Sequence, residues 1–245
     1  MKALILAAGY ATRMYPLTKE FPKPLLKVGH RPMIDYIVDK LQDIPEVDEI
    51  LVVTNSKFIS NFREWAKLCK SSKPISLVDD LTSTLDDRRG AIGDMDFAVQ
   101  QSQLKDDLLV IGGDNLFDGS LGDFVSFAKS KNLCPAIGVY DIKSLETARK
   151  YGVVGVDADS RVIDFEEKPS EPKSSLVAMC LYYFPKEELG LIGEYLKSKT
   201  NKHDATGFYI DWLSKKISMY AYTFSGRWYD IGHRDFYDEA NKKFA

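Results

Sequence analysis

The strongest constraint on the fold is a set of short segments apolar on both faces, alternating with segments of helical period. Ala3-Leu4-Ile5-Leu6 closes shortly before Gly9, Ile50-Leu51-Val52-Val53 is a second such run, and Leu108-Leu109-Val110-Ile111 leads straight into Gly112-Gly113-Asp114-Asn115. A strand with no polar face must be covered on both sides, as in the interior of a parallel sheet flanked by helices. Between these runs, Met33, Ile34, Ile37, Val38 and Leu41 mark one amphipathic helix, and Phe58, Ile59, Phe62, Trp65, Ala66 and Cys69 mark another. Ile75-Ser76-Leu77-Val78 reads as a further short strand, residues 79–92 as a polar loop, and 94–102 as a helix. The alternation predicts an α/β fold with right-handed crossovers.

From about residue 134 the rhythm changes. Segments 135–141, 152–156, 161–166 and 176–184 read as strands poorly separated by helices, which predicts mixed or antiparallel additions to the sheet. Helices are expected over 186–197 and 206–216, a strand over 218–224, and a last helix over 233–245. With no repeat, linker or low-complexity tract, the expectation is a single domain, 1–245, whose second half (about 134–232) walls one side of a cleft.

Composition narrows the function. At 245 residues and 44% hydrophobic, the chain can bury a core without disulfides or a structural metal. Lys and Arg number 33 against 36 Asp and Glu, a net charge of −3, which gives no footprint for nucleic acid or an anionic membrane. Any phosphate must therefore be gripped locally, by a few aimed cations and backbone N–H groups. Cys69, Cys134 and Cys180 form no Cys-x-x-Cys pair, so neither a zinc site nor a disulfide framework is indicated, and a cytoplasmic location is expected. His30, His203 and His233 lack metal-ligand spacing. The N-terminal apolar run, Ala3 to Ala8, is shorter than the ~7–15 residues of a signal-peptide core and is soon followed by Arg13 and Lys19. No stretch approaches the ~20 residues of a membrane helix, so a soluble protein is expected.

Four places could carry chemistry. Leu6-Ala7-Ala8-Gly9-Tyr10-Ala11-Thr12-Arg13 follows the first strand, where open sheets bind ligands and where small residues let backbone N–H groups approach an anion. Neither Gly-x-Gly-x-x-Gly nor a Walker pattern is present, so a purely structural turn stays open. Lys23, held between Pro22 and Pro24, is a stiffly mounted cation near that turn, or a solvated lysine. Asp114 ends a buried strand and Asp230 sits in Trp228-Tyr229-Asp230-Ile231-Gly232. Separately they read as a helix cap and a turn residue; together they match the one or two protein carboxylates that Mg²⁺ takes. Glu166-Glu167-Lys168-Pro169 places an acid and a base at a strand's end, to grip hydroxyls and a phosphate or to lie solvated.

Taken in order, Leu6-Ala7-Ala8-Gly9 with Thr12-Arg13, Pro16-Leu17-Thr18, Pro22-Lys23-Pro24-Leu25-Leu26, Gly113-Asp114-Asn115, Tyr151-Gly152-Val153-Val154, Glu166-Glu167-Lys168-Pro169 and Trp228-Tyr229-Asp230-Ile231-Gly232 resemble the sugar-1-phosphate nucleotidylyltransferases, and among them the glucose-1-phosphate thymidylyltransferases. The resemblance spans essentially the whole chain and implies a Rossmann-like, mainly parallel sheet flanked by helices. It implies a nucleotide-binding half over about 1–133 and a sugar-binding half over about 134–232. The activity it implies is transfer of a nucleotidyl group from a triphosphate, dTTP or UTP, to a sugar-1-phosphate such as glucose-1-phosphate, with Mg²⁺ as cofactor.

By position, the resemblance implies that Arg13, Lys23, Asp114 and Lys168 carry catalysis and that Asp114 and Asp230 hold the metal. It implies that Leu6, Ala8, Gly9 and Gly90 line the nucleotide and that Asn115, Gly152, Glu167 and Ala178 line the sugar. The chain also departs from the pattern. Ala8 and Ala11 stand where glycine is usual, Cys180 replaces a glycine, residues 81–91 replace the usual Gln-Pro loop for the base, and His203-Asp204-Ala205-Thr206-Gly207 replaces an Arg-Gly-Glu segment. Two rivals remain at this stage: a cytidylyltransferase acting on a small phosphoester such as phosphocholine, and a non-catalytic nucleotide-sugar sensor. The sequence fixes no oligomeric state; neither nucleic acid nor membrane is expected as a partner.

Overall fold

The computed structural model describes residues 1–198, 201–232 and 234–244. His233 and Ala245, the ends of the last expected helix, lie outside the described residues.

The first half follows the anticipated rhythm. Strand β1 (Lys2–Leu6) is followed by a short hairpin, β2 (Lys27–Val28) and β3 (Arg31–Pro32), then α1 (Met33–Gln42), β4 (Glu49–Thr54), α2 (Ile59–Leu68), β5 (Ile75–Asp79), α3 (Gly90–Gln101) and β6 (Leu108–Gly112). Next come β7 (Asn115–Phe117), α4 (Leu121–Lys129), β8 (Ala136–Asp141), α5 (Leu145–Ala148), β9 (Gly152–Val156), β10 (Val162–Glu167) and β11 (Leu176–Phe184). The chain closes with α6 (Gly190–Leu196), α7 (Thr206–Lys216), β12 (Tyr220–Phe224), β13 (Trp228–Asp230) and α8 (Arg234–Phe244).

The main sheet runs β10-β9-β11-β6-β1-β4-β5, with β8 on β11 and β12 on β8. The β6-β1-β4-β5 block is parallel, while β11 pairs antiparallel to β6, β8 and β9. This is the mixed, mainly parallel α/β sheet expected. The apolar runs show why: alternate residues of one strand enter different cores. Ala3 and Ile5 of β1 pack with the α1, α2 and α4 side, whereas Leu4 packs with the α3, α6 and α7 side. Strands β1, β4 and β6 are thus buried on both faces, which only a parallel block covered by helices on both sides satisfies.

Three boundaries differ from the sequence reading. Helix α3 begins at Gly90, inside the expected loop, because Gly90 adopts φ 77° and swings the chain directly into the helix. The expected 186–197 helix is a 3₁₀ turn at Lys186–Glu188 followed by α6. Residues 115–117 and 228–230, both without a strand assignment in the sequence reading, pair antiparallel as β7 and β13.

No helix among the described residues is long and apolar enough to cross a membrane.

Candidate active site

The parallel strands all end at one edge of the sheet, and the charged residues singled out in the sequence gather there. The β7-β13 pairing sets Asp230 opposite Asn115, and the Ile231 N–H donates to the Asp114 carbonyl at 3.2 Å. Two aspartates far apart in the chain are therefore brought side by side on adjoining segments. Lys23, at the start of a 3₁₀ turn (Lys23–Leu25) with Pro22 before it and Pro24 within it, puts its ammonium on the Asp114 carboxylate. Arg13, in the turn Thr12–Met14 after the Gly9 loop, lines the same space.

That space has two lobes that meet at Arg13, Asp114, Cys180 and Asp230. One, of about 520 Å³, is lined by Leu6, Ala8, Gly9, Lys23 and Gly90. The other, of about 300 Å³, is lined by Asn115, Gly152, Glu167, Lys168 and Ala178. Every site residue named from the sequence therefore falls in one cleft, with the implied nucleotide residues in the first lobe and the implied sugar residues in the second. A groove of about 570 Å³ beside Phe21, Trp65 and Leu68, against α1 and α2, shares no lining residue with this cleft.

The loop after β1 is held from behind. Thr54 Oγ1, Asn55 Nδ2 and Thr18 Oγ1 donate to the carbonyls of Ala7, Ala8 and Ala11 at 3.3, 2.8 and 2.8 Å. Ala11 lies at φ 47°, ψ 44°, a left-handed conformation that costs an L-residue roughly 1–2 kcal/mol, which accounts for glycine being usual there. Cys180 sits likewise at φ 52°, where β11 slips register against β8 between Ala178 and Tyr182. Such a bulge re-aims side chains, and here it brings the thiol between the two lobes. Burial, reinforced by the Asp114 charge, pushes that thiol up to about 12, so it is neutral and inert.

The electrostatics follow from crowding. Burial and the neighbouring Asp114 raise Asp230 to about 6, although Lys23, Lys168 and Arg13 all favour its charged form. Burial would lower Lys23, but Asp114 and Asp230 outweigh it and hold the ammonium charged. Two neighbouring carboxylates where the two lobes meet are a hard-oxygen donor set. They fit Mg²⁺, which takes one or two protein carboxylates and completes its octahedron with phosphate oxygens and water. No cluster of three or more ligating side chains occurs among the described residues, so an ion here would depend on substrate for its remaining ligands.

In the smaller lobe, Glu167 is nearly buried and its carboxyl is raised by burial, in part offset by Lys168, whose ammonium lies 3.7 Å away. Its Oε2 occupies the space a side chain at Gly207 would need. Glu166, its neighbour on the strand, faces solvent, as the two-residue period requires. Asn115 is buried with its amide engaged at both ends: Nδ2 donates to the Met179 carbonyl at 2.6 Å, and Trp228 Nε1 donates to its Oδ1 at 2.8 Å. These bonds tie β7 to β11 and to β13.

The two segments that depart from the resembled pattern touch each other. Arg88 of the 81–91 loop pairs with Asp204 at 3.3 Å, and a Cβ on Gly90 would lie 2.5 Å from the His203 carbonyl. The sequence reading did not single out Tyr10, Asp80, Asp94, Tyr182 and Thr206 for chemistry. The first three line the far end of the larger lobe, and the Tyr182 and Thr206 hydroxyls, 2.7 Å apart, back the smaller one. Their signal in the sequence is weak, because each reads as ordinary core, turn or helix.

Comparison with known proteins agrees with this geometry. A family model described as nucleotidyl transferase matches residues 2–245. The bifunctional protein GlmU of Methanocaldococcus jannaschii is 29% identical over 99% of this chain and 54% of its own length. GlmU of Methanococcus aeolicus is 28% identical over 95% of this chain and 51% of its own. The chain thus spans about half the length of the curated relatives it matches. Among solved structures, a Bacillus anthracis protein assigned as a glucose-1-phosphate thymidylyltransferase superposes with a TM-score of 0.82 at 24% identity, covering 100% of this chain and 95% of that one. A UDP-glucose pyrophosphorylase complexed with UDP-glucose gives a TM-score of 0.80 at 22% identity, covering 99% and 97%. At these identities the two structures show the fold that the sheet order describes.

Proposed function

The chain belongs to the nucleotidyl transferase family, and from that premise we propose that it transfers a nucleotidyl group from a nucleoside triphosphate to a sugar-1-phosphate, releasing pyrophosphate. The observation that carries this reading is the convergence of Asp114, Asp230, Lys23 and Arg13 where the two lobes meet. A phosphate oxygen of the sugar-1-phosphate forms a bond to the α-phosphorus as the bond from that phosphorus to the β-phosphate bridging oxygen breaks. Pyrophosphate carries away the electron pair. The nucleophile is already anionic near neutral pH, so no general base is required and catalysis rests on alignment and charge neutralisation.

The residues divide that work by place. Arg13 and Lys23 stabilise the charge that grows toward the leaving pyrophosphate. Lys168, at the smaller lobe, aims the attacking phosphate, while Glu167 accepts from sugar hydroxyls. Asp114 and Asp230 would hold Mg²⁺, which supplies neutralisation of phosphate charge when bound. Asn115 acts as a positioning residue, since its amide fixes β7 and so Asp114 beside it.

Glucose-1-phosphate is the first acceptor to test, in keeping with the names of the structural neighbours. The donor implied by the resemblance is dTTP or UTP, and because residues 81–91 supply no Gln-Pro loop for the base, the other triphosphates are compared with these two. The test is a matrix of five triphosphates against several sugar-1-phosphates with Mg²⁺, read as pyrophosphate release and as nucleotide-sugar by mass spectrometry. Stoichiometric formation of both products is expected for at least one pair. Absence of pyrophosphate release across the matrix refutes the reading.

A further inference from the structure

One side chain at the meeting of the two lobes stands on a backbone that favours glycine. Cys180 adopts φ 52° in the middle of β11, and the pattern that this chain resembles has glycine there. A strained conformation kept at the wall of a cleft points to a use for the side chain it carries. Cys180 is half-buried and lines both lobes, as do Arg13, Asp114 and Asp230. A Cβ on Gly112 would lie 3.2 Å from the Cys180 Sγ and 3.1 Å from Asp114 Oδ1, so thiol and carboxylate flank one point.

The thiol is held from behind. Its Sγ lies 3.9 Å from Thr206 Oγ1, which in turn is 2.7 Å from the Tyr182 hydroxyl. Thr206 and Tyr182 are 8% and 1% exposed, so neither can swing out to make room. Because the thiol is neutral, what it adds to the cleft wall is volume.

The proposed reaction says which part of the acceptor meets that volume. The attacking phosphate must reach an α-phosphorus beside Asp114 and Asp230, which brings the sugar's C1 to the same junction. C1 has two ring neighbours, C2 and the ring oxygen. The ring oxygen bears no substituent, so the first ring group to meet a fixed obstacle there is the one on C2.

Resting on the nucleotidyl-transfer reading, we infer that Cys180 is a specificity-determining residue: it admits sugar-1-phosphates with a hydroxyl at C2 and excludes those with an acylamino group there. A glycine at this position would leave room for the acyl group. Forcing extra atoms against a wall that cannot yield lowers transition-state binding by about 5- to 150-fold.

Matched acceptors that differ only at C2 test this: glucose-1-phosphate against its 2-acetamido-2-deoxy counterpart, and the corresponding galactose pair. Each is assayed with Mg²⁺ and each triphosphate, and kcat/KM is read from pyrophosphate release. The 2-hydroxy member is expected to be favoured by about tenfold or more. Cys180→Gly should cut that preference about fivefold or more, whereas Cys180→Ser, close to cysteine in size, should keep it. Both members of a pair are read on the same protein, so a general loss of activity cancels from the ratio. Equal use of the two members, preference for the acetamido member, or an unchanged ratio in Cys180→Gly overturns the inference while leaving nucleotidyl transfer standing. Loss of the preference in Cys180→Ser overturns it too, since volume would not then be the cause. Absence of pyrophosphate release with every acceptor and triphosphate removes the premise together with the inference.

Discussion

Replacing Lys23 by methionine separates two roles that one ammonium plays. The side chain keeps its length and apolar stem but loses the charge that sits on Asp114 and faces Asp230. Loss of a single preorganised phosphate donor lowers kcat by roughly 10²–10³, or about 3–4 kcal/mol of transition-state stabilisation. Folding suffers less. Breaking a fully buried ion pair costs roughly 3–5 kcal/mol, but Lys23 and Asp114 keep 16% and 27% of their side chains exposed, so about 2 kcal/mol is expected. The metal response has the opposite sign. With Lys23 gone, Asp114 and Asp230 face each other without their nearest cation, and the free enzyme should bind Mg²⁺ more tightly, by about tenfold. Steady-state pyrophosphate release at saturating substrates measures the first effect, urea unfolding the second and calorimetric Mg²⁺ titration the third. A variant with kcat within about threefold of the parent, or with weaker Mg²⁺ binding in the free enzyme, refutes the placement of Lys23 between metal and phosphate.

Two further outcomes follow from the buried acids. Because the native Asp94 holds its proton to about pH 8 while the unfolded residue releases it near the ordinary carboxylate value, the native state binds more protons across that window. This term therefore makes stability fall as pH rises from about 4 to about 8, and Asp94→Asn should flatten the slope of the urea midpoint against pH; an unaltered slope contradicts the raised Asp94. In the smaller lobe, Gly207→Ala drives a methyl into Glu167 Oε2, so the carboxylate must move. The KM for the sugar-1-phosphate should rise about tenfold or more with nucleotide binding unchanged, and parental kinetics would show that Glu167 does not touch the sugar.

Much of the parallel block is legible from sequence because interior strands carry no polar face. The runs at 3–6, 50–53 and 108–111 appear as β1, β4 and β6, with successive side chains sent to opposite cores. The start of α3 is hidden, since Gly90 and Ala91 read as the tail of a polar loop until the φ of Gly90 is known. The β7-β13 pairing is hidden for a different reason. Three-residue strands have too little pattern to register, yet this pairing is what joins Asp114 to Asp230. Motif order placed the charged residues in one cleft, but it could not show that the Asn115 amide is committed to Met179 and Trp228. Nor could it show Asp94 as a buried acid, because an aspartate in an amphipathic helix ordinarily marks the wet face.

The most direct test of the account is cooperative ligation by the two aspartates. Binding of Mn²⁺, a spectroscopic stand-in for Mg²⁺, can be followed by electron paramagnetic resonance in the presence of a bound triphosphate, for Asp114→Asn, Asp230→Asn and the double variant. If both carboxylates hold one ion, each single substitution weakens Mn²⁺ binding by at least about tenfold, and the double variant falls well short of the sum of the two. Full additivity, or a single substitution that leaves Mn²⁺ binding at the parental level, contradicts a shared site.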